Sequence, residues 1–179
     1  MKHYLTTAAG LISDEKPLEA KAYIESIVEE KINSSNVGVT TGSAVIDAVI
    51  NNKIALCNSK GIKMKCAIDT QFDSTIDIDI SILLSNLLDN AIKGCDRSKP
   101  YIELIIGHNK SMTYIAVKNN IPVSVLADNP NLETDKDDES EHGYGIRSVK
   151  DIAKKYDGSV EFMERNGKFI AEIWLKMVK

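Results

Sequence analysis

Apolar residues in the first part of the chain recur at helical spacing. Between residues 3 and 12, Tyr4, Leu5, Ala8, Ala9, Leu11 and Ile12 fall near one face of a helix. Ser13, Asp14 and Pro17 mark a break and a fresh start, since proline suits a first helical turn. From Pro17 to about Asn33, a stripe of Leu18, Ala22, Ile24, Ile27, Val28 and Ile32 runs between charges. The pattern predicts a short helical hairpin over residues 1–35. Such a hairpin buries little alone, so it is expected to pair with a second copy. Asn33-Ser34-Ser35-Asn36-Val37-Gly38 reads as a linker.

Beyond the linker the period changes repeatedly. Residues 43–59 read as a helix with Ala44, Val45, Ala48, Val49, Ala55 and Leu56 for a core, and Gly61 stands where a C-terminal cap ends it. From Lys63 to Asp69, Met64, Cys66 and Ile68 alternate with more polar neighbours, which predicts a strand. Residues 78–94 return to helix, capped around Asp77 or Asp79. Residues 101–106 and 112–118 read as two strands separated by the turn-like Gly107-His108-Asn109-Lys110. Residues 121–142 contain few apolar groups and the acidic run Asp135 to Glu141, which predicts a loop. A helix over Gly145 to Tyr156 should end at Asp157-Gly158. Strands at 159–165 and 168–176 flank Asn166-Gly167, a type I′ hairpin signal. Helices and strands do not alternate regularly. The expected fold class is therefore α+β: a two-layer sandwich over residues 38–179, its mixed sheet covered by helices on one face.

Composition narrows the function classes. The 179 residues are 43% hydrophobic and 27% charged, with a formal net charge of -4. That balance argues against nucleic acid or an anionic membrane as partner. Cys57, Cys66 and Cys95 form no C-x-x-C pair, and the three histidines show no zinc-ligand spacing, so buried thiols are expected. No apolar run approaches the ~18 residues of a membrane span, and no signal peptide is visible.

Three segments carry candidate chemistry. Asn86, Asn90 and Lys93 share one stripe of a helix whose other faces are covered by Leu83, Leu84, Leu87, Leu88 and Ala91. Amides on so apolar a helix need polar partners. His142-Gly143-Tyr144-Gly145-Ile146-Arg147 places two glycines where a polar loop becomes a helix, and free backbone N–H groups there can hold phosphate oxygens. Asn119 and Asn120 end a strand with amide donors and acceptors.

Taken in order, these segments resemble the ATPase superfamily that includes histidine kinases, DNA gyrase and MutL, from about Gly38 to the C-terminus. Asn86-Leu87-Leu88-Asp89-Asn90-Ala91-Ile92-Lys93 is similar to its N box, and Gly143-Tyr144-Gly145-Ile146 to its second glycine box. Thr41-Gly42-Ser43-Ala44-Val45-Ile46-Asp47-Ala48-Val49-Ile50-Asn51-Asn52-Lys53 and His142-Gly143-Tyr144-Gly145-Ile146-Arg147-Ser148-Val149-Lys150 resemble motifs of the kinases of Gram-positive peptide quorum sensing. The superfamily's first glycine box, D-x-G-x-G, is replaced by Asn119-Asn120-Ile121-Pro122, so Asn119 offers adenine a neutral amide, with weaker binding and looser base selectivity expected.

The resemblance implies the Bergerat (GHKL) ATPase fold, with ATP and magnesium as cofactors and Asn90 as the magnesium ligand. It implies a protein-histidine kinase in which Asn86 and Lys93 act on the phosphates. Asn86, an amide, cannot serve as a general base, which favours transfer over hydrolysis. It implies nucleotide contacts from Asn86, Asn90, Lys93, Asn119, His142, Gly143, Tyr144, Gly145, Ile146 and Arg147. Residues 121–142 would be the lid, with Lys136 reaching the terminal phosphate. The phosphoacceptor histidine is expected upstream of Met1, with His3 near the tail of its motif and His108 and His142 in other roles. The implied partners are a response regulator and a second copy of the chain through the hairpin. The implied location is the cytoplasmic side of a membrane sensor. Two alternatives stay open: an interaction module of the same fold that has lost catalysis, and an anti-sigma-type serine kinase.

Overall fold

The computed structural model describes residues 39–70, 72, 76–109, 112–132 and 144–176. The hairpin expected over residues 1–35, the linker, the acidic run, Lys136, His142 and Gly143 lie outside the described residues. In chain order the elements are α1 (Ala44–Ser59), β1 (Lys63–Asp69), α2 (Asp77–Gly94), β2 (Tyr101–Asn109) and β3 (Met112–Asn120). There follow α3 (Val125–Asp128), α4 (Tyr144–Lys155), β4 (Ser159–Arg165) and β5 (Lys168–Lys176). The five strands form one sheet in the order β1-β2-β3-β5-β4. Only the β1–β2 pair is parallel.

Strand alternation fixes which face is covered. Ile102, Leu104 and Ile106 of β2, Ile115 and Val117 of β3, and Ala171, Ile173 and Leu175 of β5 join one buried cluster with the helices. Their registered neighbours on the other face, including Tyr114, Lys118 and Glu172, lie outside that cluster. The helices therefore cover one face, as the pattern predicts. Central in that layer is α2, which packs against α1, α4 and β3. Leu83, Leu84, Leu87, Leu88, Ala91 and Ile92 are all buried on it.

Local chemistry sets the element ends. Ser43 caps α1 by accepting from the Ile46 amide. The Asp47 carboxylate accepts from both the amide and the hydroxyl of Thr41 at 2.7 Å, holding the entering chain. At the far end Gly61 adopts φ 67°, and the Ile62 amide donates back to the Cys57 carbonyl at 2.9 Å. This is a Schellman closure with its glycine in the expected place. Asn166 and Gly167 take φ 53° and 71°, the two left-handed positions that a type I′ turn demands.

Three boundaries differ from expectation. β2 continues through Gly107, His108 and Asn109, which pair with Tyr114, Thr113 and Met112. Polar residues there looked like a turn, but the ladder to β3 carries them, with the His108 ring nitrogen 3.3 Å from the Thr113 hydroxyl across it. β3 likewise continues to Asn120. The N-cap of α2 is Ile76, without a side-chain bond, rather than Asp77 or Asp79. Asp79 instead accepts from the Lys155 ammonium at 2.5 Å and the Tyr156 hydroxyl at 2.6 Å, tying the start of α2 to the end of α4. The third cysteine departs slightly too: Cys57 and Cys95 are buried, while Cys66 is half-buried. Burial pushes the Cys57 and Cys66 thiols up to about 11, so they stay protonated and unreactive.

The bonds from Lys155 and Tyr156 hold the Asp79 carboxyl below its ordinary range. A depressed carboxylate stabilises the fold above its unfolded pKa and loses that contribution as pH falls through the folded value. Asp79→Asn should therefore lower the melting temperature at pH 7 by ~3 °C, about 1 kcal/mol for a partly exposed network. Below pH ~4 the difference from the parent protein should shrink, since both then carry a neutral group. Thermal unfolding followed from pH 7 to 3 checks both limbs.

Candidate functional site

One face of α2 opens on a cavity. Leu87, Asn90, Ala91 and Gly94, spaced i, i+3, i+4 and i+7, line it from the helix side. Val117 and Asn119, alternate residues at the end of β3, form the floor with Ile121 beyond. The β4–β5 hairpin supplies Phe162, Phe169 and Ala171. Val125, Asn129 and Leu132, from the segment after β3, line another side, and Ile146 of α4 completes the wall. The cavity measures about 220 Å³ and is mainly apolar with a few amides, the make-up of a small-molecule slot. Phe162 and Phe169 stack with centroids 6.0 Å apart and planes at 29°, offering a flat aromatic wall.

The polar groups are few and differently placed. Asn119 is only 3% exposed. Its side-chain amide nitrogen donates to the Asn120 carbonyl at 3.2 Å, and that same carbonyl accepts from the Asp96 amide at 2.8 Å. The donor half of Asn119 is thus committed, and its carbonyl oxygen accepts no hydrogen bond among the described residues. Asn90 is exposed where it lines the cavity, and its amide is likewise unengaged among the described residues. Its neighbour Asp89 is occupied: Lys53 of α1 donates to both carboxylate oxygens at 2.8 Å.

Residues 76–176, more than half of the chain, match the sequence profile described as the GHKL domain. This chain belongs to the GHKL domain family. Its fold is that of histidine kinase catalytic domains. The catalytic domain of histidine kinase ThkA, in a nucleotide-free form, aligns with a TM-score of 0.61 at 16% identity, over 76% of this chain and 93% of that one. The Acinetobacter baumannii histidine kinase AdeS gives 0.53 at 16% identity, over 99% and 97%. The mycobacterial sensor histidine kinase MprB gives 0.54 at 15% identity, over 74% and 93%. At these identities the likeness is one of fold. No curated protein sequence matches significantly.

Within this GHKL domain the sequence-derived residues separate into groups. Asn90, Asn119 and Ile146 line the cavity. Asn86 does not; it lies against Gly145, where a Cβ would meet its side-chain oxygen at 3.5 Å. The two helices pack against each other there, and Asn86 lies one turn from Asn90 on the cavity wall. Lys93 is exposed and Arg147 faces solvent beside Asp151 at 3.9 Å; neither lines the cavity. His142 and Gly143 lie outside the described residues, as does the side chain of Tyr144.

Sequence reading missed the hairpin phenylalanines and the wall from the segment after β3. The chain has three phenylalanines, and two sit within four residues of the Asn166-Gly167 turn, a signal that was available. Val125, Asn129 and Leu132 sit in a segment read as loop, which contains the four-residue α3 capped by Ser124. Leu132 adopts φ 54°, a left-handed conformation that costs a branched residue about 1–2 kcal/mol.

The Asn119–Asn120 bond calls for a side-chain donor at this buried position. A carboxylate at this buried position would face the Asn120 carbonyl without a proton to donate. Asn119→Asp should lower stability of the ligand-free domain by about 1–3 kcal/mol at neutral pH. Its folded pKa would be raised, so the loss should grow with rising pH and fade on acidification, when the protonated acid can donate to Asn120. Denaturation of the variant at pH 7.5 and 4.5 tests this; equal losses at both would refute the proposed hydrogen bond.

Proposed function

We propose that this GHKL domain binds ATP with magnesium and transfers the γ-phosphoryl group to a histidine, for relay to a response regulator. The observation that carries the reading is the Asn119 carbonyl, fixed by Asn120 and unengaged at the floor of an apolar slot. A planar base with an exocyclic amino group suits such a slot, with Phe162 and Phe169 beside it. Because the Asn119 donor is held by Asn120, the group facing the base is an acceptor, which suits the exocyclic amino group of adenine.

Asn90 fits the magnesium role. Magnesium takes one or two protein oxygens and completes its shell with phosphates and water, and Asn90 presents a neutral carbonyl at the cavity rim. With Asp89 held by Lys53, no carboxylate of that pair competes for the ion. When bound, the metal would neutralise phosphate charge. The protein's own part is to hold the base, orient the triphosphate toward the α4 N-terminus and exclude water. Asn86 supplies no general base, which supports transfer to a docked side chain over hydrolysis. The Thr41-Gly42-Ser43 and His142-Gly143 motifs favour kinases of the peptide quorum-sensing type, with dimerisation through the N-terminal segment.

The interaction-module reading is favoured by the absence of D-x-G-x-G glycines at residues 119–122. Thermal shift separates the two. Millimolar ATP with magnesium should raise the melting temperature by several degrees, as ligand at ~100 times its Kd contributes about 2.7 kcal/mol. Asn90→Ala should lose the magnesium-dependent part of that shift. No shift at millimolar nucleotide would leave the interaction module as the better reading.

A further inference from the structure

We propose that Glu164 is a positioning residue that holds the lid-side wall of the cleft in its binding shape and thereby sets affinity for the enclosed base. The inference rests on the nucleotide reading of that cleft. Glu164 lies on β4 two residues after Phe162, so both side chains project from the same side of the strand. Its Oε1 accepts from the Val125 amide at 2.6 Å and the Leu126 amide at 2.9 Å. Its Oε2 accepts from the Ser124 hydroxyl at 2.6 Å. One carboxylate thus gathers donors across some forty residues of sequence.

Those donors belong to α3, which cannot stand alone. It is four residues long, buries none of them, and a single turn is far below the length at which a helix is stable by itself. Yet Val125 at its start, and Asn129 and Leu132 just beyond it, line one side of the cavity. Ile121, at the root of this segment, is held to the same hairpin by its amide bond to the Gly167 carbonyl at 3.0 Å. The hairpin that supplies Phe162 and Phe169 to one wall therefore also fixes the wall opposite. The bonds from Ser124, Leu126 and Val125 hold the Glu164 carboxyl below its ordinary range, so it is ionised at neutral pH and accepts from all three.

The experiment measures binding of ATP and of adenosine alone to the full chain, its Glu164→Ala variant and its Glu164→Gln variant, with the ligand-free melting temperature of each. Glu164→Ala should weaken both ligands by the same ~5–10-fold, because the wall it releases borders the base and not the phosphates. Its ligand-free melting temperature should stay within ~2 °C of the parent, since α3 buries no core residue. Glu164→Gln should bind within ~2-fold of the parent, because its carbonyl still accepts from both amides. Unchanged affinity in the alanine variant, a loss for ATP but not adenosine, a glutamine variant as weak as alanine, or a large drop in ligand-free stability would each overturn the proposal. If the parent chain binds neither ligand, the nucleotide reading itself falls and this inference with it.

Discussion

The structure depends on the burial of α2. Leu83, Leu84, Leu87, Leu88, Ala91 and Ile92 are buried because the helix lies between α1 and α4 and over β3. Each fully buried aliphatic side chain contributes about 1.5–3 kcal/mol, so the orientation of this helix is strongly fixed. Its polar positions have little choice of direction. Asn86 meets Gly145, Asp89 meets Lys53, and Asn90 reaches the cavity rim. Rotating α2 to serve the site differently would expose its leucines, so the chemistry follows from the packing.

Much of the fold was legible in the sequence where local rules suffice. The bounds of β1, β4 and β5 follow from alternation and from the Asn166-Gly167 turn. The end of α1 follows from Gly61. The extension of β2 was not legible, because Gly107, His108 and Asn109 have turn-like side chains yet sit in a ladder opposite β3. The cap of α2 was misread because Asp79 is recruited by Lys155 and Tyr156, some 76 positions away.

The site was legible in the same uneven way. Asn90, Asn119 and Ile146 were accessible as motif positions, and the cavity contains them. Lys93 and Arg147 lie on the same helices but off the wall, since motif spacing gives a helix face only to within a turn. The role of Glu164 has no local signal at all. Its partners are Ser124, Val125 and Leu126, and nothing near either segment announces the other.

Among the described residues the sheet has two outermost strands, β1 and β4, each paired on one side. An open strand edge is a template on which another chain can add itself. Along β1 the exposed side chains are Lys63, Lys65, Ala67 and Asp69, and along β4 they are Ser159, Glu161 and Arg165. Charges at these positions oppose edge-to-edge growth into larger aggregates.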